Sequence, residues 1–124
     1  MNTIVDRYLN ELFGFSIKHT SKKEKGEEIY DEVKKENDKK MKEDFERKCG
    51  KLPLSSTERE ICELKNLIFY LNELVIKLQR NQNKCPNDTR CLRVISDAIF
   101  NTKKEIKKYN DDLKELQKIQ SKKR

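Results

Sequence analysis

The sequence predicts an all-α fold: an antiparallel up-down-up three-helix bundle with an extra short N-terminal helix, stapled by two turn-spanning disulfides. Three observations carry that reading. Between residues 57 and 119 apolar residues recur at alternating intervals of three and four, the period of a helix and not of a strand. Only three Gly and two Pro punctuate 124 residues, too few for the tight turns of a sandwich or barrel. Apolar residues make up 34% of the chain, enough for one stripe on each of a few helices but not for a parallel sheet covered on both faces.

The first element runs from Asn2 to Phe15, where Ile4, Val5, Tyr8, Leu9, Leu12 and Phe13 fall at helical spacing and Gly14 marks the end. His19 to Gly26 has neither periodicity nor a large apolar residue and reads as a connector. Residues 1–26 therefore form one unit, a short amphipathic helix on a tether, and residues 27–120 a second, the bundle.

Residues 27–49 are mostly Glu and Lys, good helix formers, with a sparse stripe of Tyr30, Val33, Met41 and Phe45. The piece from Lys34 to Lys40 offers nothing apolar, so this helix is expected to pack weakly in its middle. Gly50, Pro53 and Ser55-Ser56-Thr57 end it and start the next, with Thr57 and Glu60 spaced as a capping box. From Glu58 to about Arg80, the residues Ile61, Leu64, Ile68, Leu71, Val75 and Leu78 form a heptad seam, which Leu67 and Leu74 widen into a face for two neighbours. This is the expected central helix.

A loop rich in turn formers, Asn81 to Asp88, comes next. The helical pattern then returns in Leu92, Ile95, Ile99, Thr102, Ile106, Tyr109, Leu113 and Leu116. A helix of about 30 residues is about 45 Å long. It outreaches its predecessor, so Leu113, Leu116 and Ile119 need cover from neighbouring ends or from another chain. Residues 121–124 read as a frayed basic tail.

The four cysteines, Cys49, Cys62, Cys85 and Cys91, allow three pairings. A stiff helix of about 20 residues between Cys62 and Cys85 holds them roughly 30 Å apart, whereas a disulfide needs Cα atoms within about 7 Å. Cys49 with Cys62 and Cys85 with Cys91 remain, each closing one connection between consecutive helices. Four reduced thiols buried as small hydrophobes are the alternative. Zinc is disfavoured, because the intervening stretches of 12, 22 and 5 residues contain no C-x-x-C and the same rod keeps four sulfurs from converging. No metal or other cofactor is expected.

Disulfides place the folded chain in an oxidising compartment, extracellular or surface-exposed. The residues after Met1 lack the apolar core of a secretory signal, which implies membership of a longer exported chain. Asn87-Asp88-Thr89 matches a glycosylation sequon in the same sense. The longest apolar run, Leu67 to Leu71, is far short of the roughly 20 residues that cross a bilayer, so no transmembrane segment is expected.

Catalysis needs polar groups converging in a partly dry pocket. The one histidine, His19, sits in the connector without an identifiable carboxylate or nucleophile beside it, and no phosphate-cradling or nucleophile-elbow motif occurs. No catalytic residue is assigned. The reading that remains is a non-catalytic helical module for protein–protein interaction or adhesion, binding a protein partner or a second copy of itself. Its candidate contacts are Ile4, Tyr8, Leu9, Leu12 and Phe13 on the N-terminal helix, and Leu113, Leu116 and Ile119 on the overhang. The alternative is a basic nucleic-acid-associated helical protein in a reducing, intracellular compartment. Its 29 basic against 22 acidic residues leave a net charge of +7, and Lys103, Lys104, Lys107 and Lys108 would face phosphates.

Mass spectrometry of natively isolated protein without reductant separates the two compartments. The expected mass is four hydrogens below that of the reduced chain, with peptide maps joining residue 49 to 62 and 85 to 91. Four free thiols, or a link from 62 to 85, would refute the pairing.

Overall fold

The computed structural model describes residues 24–85 and 89–122. Among these residues the chain is helical without strands: α1 spans Lys25–Cys49, α2 Thr57–Asn81 and α3 Thr89–Lys122, with a single 3-10 turn at Gln82–Lys84. The expected helix from Asn2 to Phe15, the connector up to residue 23, the Asn87 sequon and the last two residues of the tail lie outside the described residues.

α1 begins inside the stretch read as connector, with Lys25 and Gly26 already helical. Gly26 is buried, and its missing side chain has a packing reason. A Cβ there would stand 2.9 Å from the Cys91 carbonyl oxygen and 2.9 Å from Val94 Cβ, so only glycine lets the starts of α1 and α3 lie this close. Glu27 and Glu28 in the first turn of α1, and Arg47 and Lys48 in the last, complement its dipole.

The turn from α1 to α2 differs in detail from the expected capping box. Ser56, not Thr57, is the N-cap, its Oγ accepting from the Arg59 N–H at 3.1 Å. Ser56 is held there twice over by the Pro53 carbonyl, which accepts from its backbone N–H at 3.2 Å and from its hydroxyl at 2.8 Å. Gly50 remains right-handed at φ −61°, and the left-handed position falls on Ser55 at φ 65°, a conformation that costs a non-glycine residue roughly 1–2 kcal/mol. Arg59 ties the turn down. It donates to the Leu52 carbonyl at 3.0 Å and to Glu63 at 3.2 Å, while its guanidinium lies 5.4 Å from the centroid of the Phe45 ring.

The core is divided in two. One cluster joins Met41, Phe45 and Cys49 of α1 to Leu64, Leu67 and Leu71 of α2 and Tyr109 of α3. The other joins Ile29 to Leu74, Val75 and Leu78 and to Cys91, Ile95 and Ile99. Each fully buried Leu or Ile here stabilises the fold by about 1.5–3 kcal/mol relative to exposure. The deepest line of α2 is Leu64, Leu67, Leu71, Leu74 and Leu78, all at 2% exposure or less, whereas Ile68 of the expected seam is only partly buried. A helix touching two neighbours buries the middle of its apolar face, not one edge, which is why the line moves by one register position. On α3 the seam starts with buried Cys91, which leaves Leu92 41% exposed.

The middle of α1 is not weakly packed; it is packed with polar groups. Asn37 is 1% exposed and Lys34 9%. Asn37 Nδ2 donates to the Tyr70 carbonyl of α2 at 2.9 Å, and its Oδ1 accepts from Lys77 Nζ at 3.2 Å. One turn on, Asn66 of α2 returns the contact, donating to the Met41 carbonyl at 3.0 Å. Lys34 pairs with Asp38 at 2.5 Å. The nearby Tyr30 hydroxyl is held well above its ordinary pKa by burial, with Asp38 and Glu105 pushing the same way. These pairs, with Cys49–Cys62, descend along α1 as they ascend along α2.

Replacing Gly26 with Val tests the close approach of α1 and α3. The expected loss is about 1–3 kcal/mol, as for overpacking a tight contact, read from urea or thermal melts. A neutral or stabilising effect would show that the two helix starts do not meet.

Candidate functional site

The two cysteine pairs stand at disulfide distance, with Cα atoms 5.8 Å apart for Cys49–Cys62 and 5.6 Å for Cys85–Cys91. Both are asymmetric. Cys49 and Cys91 are buried in the two apolar clusters at 0% and 1% exposure, whereas Cys62 and Cys85 are only partly covered. Among the described residues no group of three or more His, Cys, Asp or Glu is arranged to hold a metal ion.

The expected overhang of α3 lies partly against the core. Leu113 and Leu116 pack beside the cluster of Met41, Phe45 and Tyr109, while Ile119 stays 45% exposed. Gln120, one residue on, lines an open hollow of about 510 Å³ together with Lys48, Ile61, Cys62, Lys65 and Phe69. The remaining candidate contacts, Ile4, Tyr8, Leu9, Leu12 and Phe13, lie outside the described residues. Lys103, Lys104, Lys107 and Lys108 are all exposed on α3. Lys104 and Lys108 lie over rings of their own helix, with Nζ 4.4 Å from the centroid of Phe100 and 5.5 Å from that of Tyr109.

An apolar strip on the outer side of α2 escaped the sequence reading. Phe69 is 52% exposed and Ile76, two turns on, 40%. Lys65, Phe69, Asn72, Ile76 and Gln79 follow one another at heptad intervals and are all exposed, a second line on the same helix. The signal in the sequence was Phe69 and Ile76 themselves. They are seven residues apart and fall outside the inner seam, yet the richness of that seam hid them.

Phe69 rests on a firm backing. Its ring meets Tyr70 edge to face, with centroids 5.1 Å apart. The Tyr70 hydroxyl donates to Asp44 Oδ2 of α1 at 2.7 Å, and Arg47 and Lys48 also pair with Asp44. Lys48 Nζ lies 5.9 Å from the Phe69 centroid. Burial, and then the bond to Asp44, push the Tyr70 hydroxyl up to about 12. The bond from Tyr70 is the main cause that holds the Asp44 carboxyl below its usual value, with Arg47 and Lys48 adding to it.

Compared with known proteins, the chain matches no family model, no curated protein and no solved structure.

The Asp44 link has a pH signature. Its carboxyl is lower in the folded than in the unfolded chain, so its stabilisation is complete above the unfolded value of about 3.9 and is lost as pH falls below it. Asp44→Asn is expected to lower the melting temperature at pH 7 and to have a smaller effect at pH 3. Equal losses at both pH values would show that the charge of Asp44 plays no part.

Proposed function

We propose that the chain is a non-catalytic helical interaction or adhesion module. It is an antiparallel up-down-up bundle carrying an extra short N-terminal helix, and it works in an oxidising compartment as part of a longer exported or surface chain. The observation that carries the binding role is the strip of Phe69 and Ile76, large apolar side chains left 52% and 40% exposed. An amphipathic partner helix, from another protein or a second copy, would lay residues at intervals of three and four across it. Asn72, between the two, fits the register-setting role of an amide within an apolar seam.

The topology draws support from the descending order of contacts between α1 and α2. The close starts of α1 and α3 and the position of Gln120 beside Ile61 run in the same sense. The two cysteine pairs fit the compartment. No helix among the described residues is long and apolar enough to cross a membrane.

The double variant Phe69→Ser, Ile76→Ser tests the binding role. Both side chains are about half covered and Phe69 packs on Tyr70, so a stability loss of about 1–2 kcal/mol is expected, and binding is compared at a temperature where circular dichroism shows both proteins fully helical. Self-association in sedimentation, or affinity for a partner identified by crosslinking to the wild type, should fall at least about tenfold, or 1.4 kcal/mol. The same measurement on residues 24–124 gives the share of the N-terminal segment. Undiminished association in the double variant would refute the strip as the contact.

A further inference from the structure

The excess positive charge is not spread evenly over the three helices. α1 has eight basic and nine acidic residues, a balance of −1, and α2 four of each. α3 has nine basic and five acidic, a balance of +4. Ion pairing accentuates the contrast. On α1, Lys34, Lys40, Arg47 and Lys48 each pair with a carboxylate one turn away, and on α2 Arg59 pairs with Glu63.

On the solvent side of α3, Arg93, Lys104, Lys107, Lys114 and Lys118 fall at intervals of 11, 3, 7 and 4, which keeps them within one line of a helix. Lys103 stands beside that line, and all six are exposed. Of these only Lys118 has an ion pair, with Glu115 at 3.4 Å, among the described residues. Asp97, Asp111 and Glu115 interrupt the line, three acids against its five cations, without reversing its sign. From Arg93 to Lys118 it is about 38 Å long at 1.5 Å per residue.

We infer that this face of α3 binds a linear sulfated polysaccharide. A row of exposed cations, of which only Lys118 is paired among the described residues, complements on a straight rod a chain of closely spaced sulfates, and the release of counterions from the polyanion drives such binding. The choice of a sulfated glycan over nucleic acid rests on the oxidising compartment of the proposed function and on one feature of the face itself. Phe100, the aromatic side chain in the row, is 58% exposed, yet one face of its ring is already taken by the Lys104 ammonium at 4.4 Å. A base stacking on that face must displace a cation, whereas a glycan needs no ring surface and its sulfates can engage the lysines without stacking.

The experiment measures binding of the oxidised full chain to heparin, with desulfated heparin and single-stranded DNA of matched length as comparison probes. Lys104→Glu, Lys107→Glu, Lys114→Glu is compared with Lys35→Glu, Lys39→Glu, Lys42→Glu on α1, which changes net charge equally at exposed positions. The α3 triple is expected to weaken heparin binding at least about tenfold at ~0.15 M salt, with the α1 triple changing it by less than about threefold. Desulfated heparin should bind weakly, and circular dichroism should show both triples equally helical.

Equal weakening by the two triples would reduce the effect to net charge and overturn the site. So would failure of the wild type to bind heparin at low salt, or equal binding of desulfated heparin. DNA held to higher salt than heparin would make the polyanion a nucleic acid and overturn the glycan. The compartment reading fails separately, by four free thiols in the native protein.

Discussion

The fold depends on how α1, a helix with too few apolar residues to fill its inner face, meets two neighbours that have enough. Between Val33 and Met41 the inner position goes to Asn37, and a buried amide that found no partner would cost about 1–3 kcal/mol. Asn37 meets that requirement by bonding the backbone of α2 at Tyr70 and accepting from Lys77, so the gap in the apolar stripe becomes a directional contact. Apolar side chains can slide past one another at small cost, whereas two hydrogen bonds across the interface are lost if α1 shifts by a turn. The reciprocal bond from Asn66 to Met41 adds the same constraint one turn away. Between them the two asparagines fix where the clusters on either side begin.

Covalent and steric ties then secure what the divided core leaves weak. Cys49–Cys62 closes the turn between α1 and α2, and Cys85–Cys91 the connection into α3. In the loop-entropy account, rings of this size contribute roughly 2–3 kcal/mol each. That equals the burial of about one or two further leucines per cluster, a gain that matters when α1 supplies only a handful of apolar contacts. Gly26 works at the same end as Cys91, where the absence of a side chain brings α3 against α1. Arg59 works at the other end, where one guanidinium holds the turn, the start of α2 and the Phe45 ring together.

What could be read from the sequence followed from chain stiffness and period. The three helices, their lengths and the pairing of cysteines come from the rule that a rod cannot bring its own ends together. The interior of α1 was not legible that way. Lys34 and Asn37 look like solvated residues until the backbone of α2 is placed beside them, although the spacing of four residues from Val33 and to Met41 puts Asn37 on the inner line of the helix. Likewise the capping role falls to Ser56 because of Pro53, three residues back, and the seam position falls to Cys91, which is in register with buried Ile95 and Ile99, instead of Leu92. For the candidate surface, the inner leucines of α2 were visible as a pattern. Phe69 and Ile76 emerged only when the inner face had been counted as filled.

The unequal covering of the two bridges bears on how the protein meets a change of redox environment. An incoming thiolate must approach one sulfur along its bond and expel the other as an anion. Cys62 and Cys85 are the less buried residues of the two pairs, so attack from their side would expel the anion on Cys49 or Cys91, inside hydrocarbon that cannot solvate it. Parting of a helix end from its cluster would bring water to that anion and so ease the breaking of either link. The packed interior thereby slows reduction of the crosslinks.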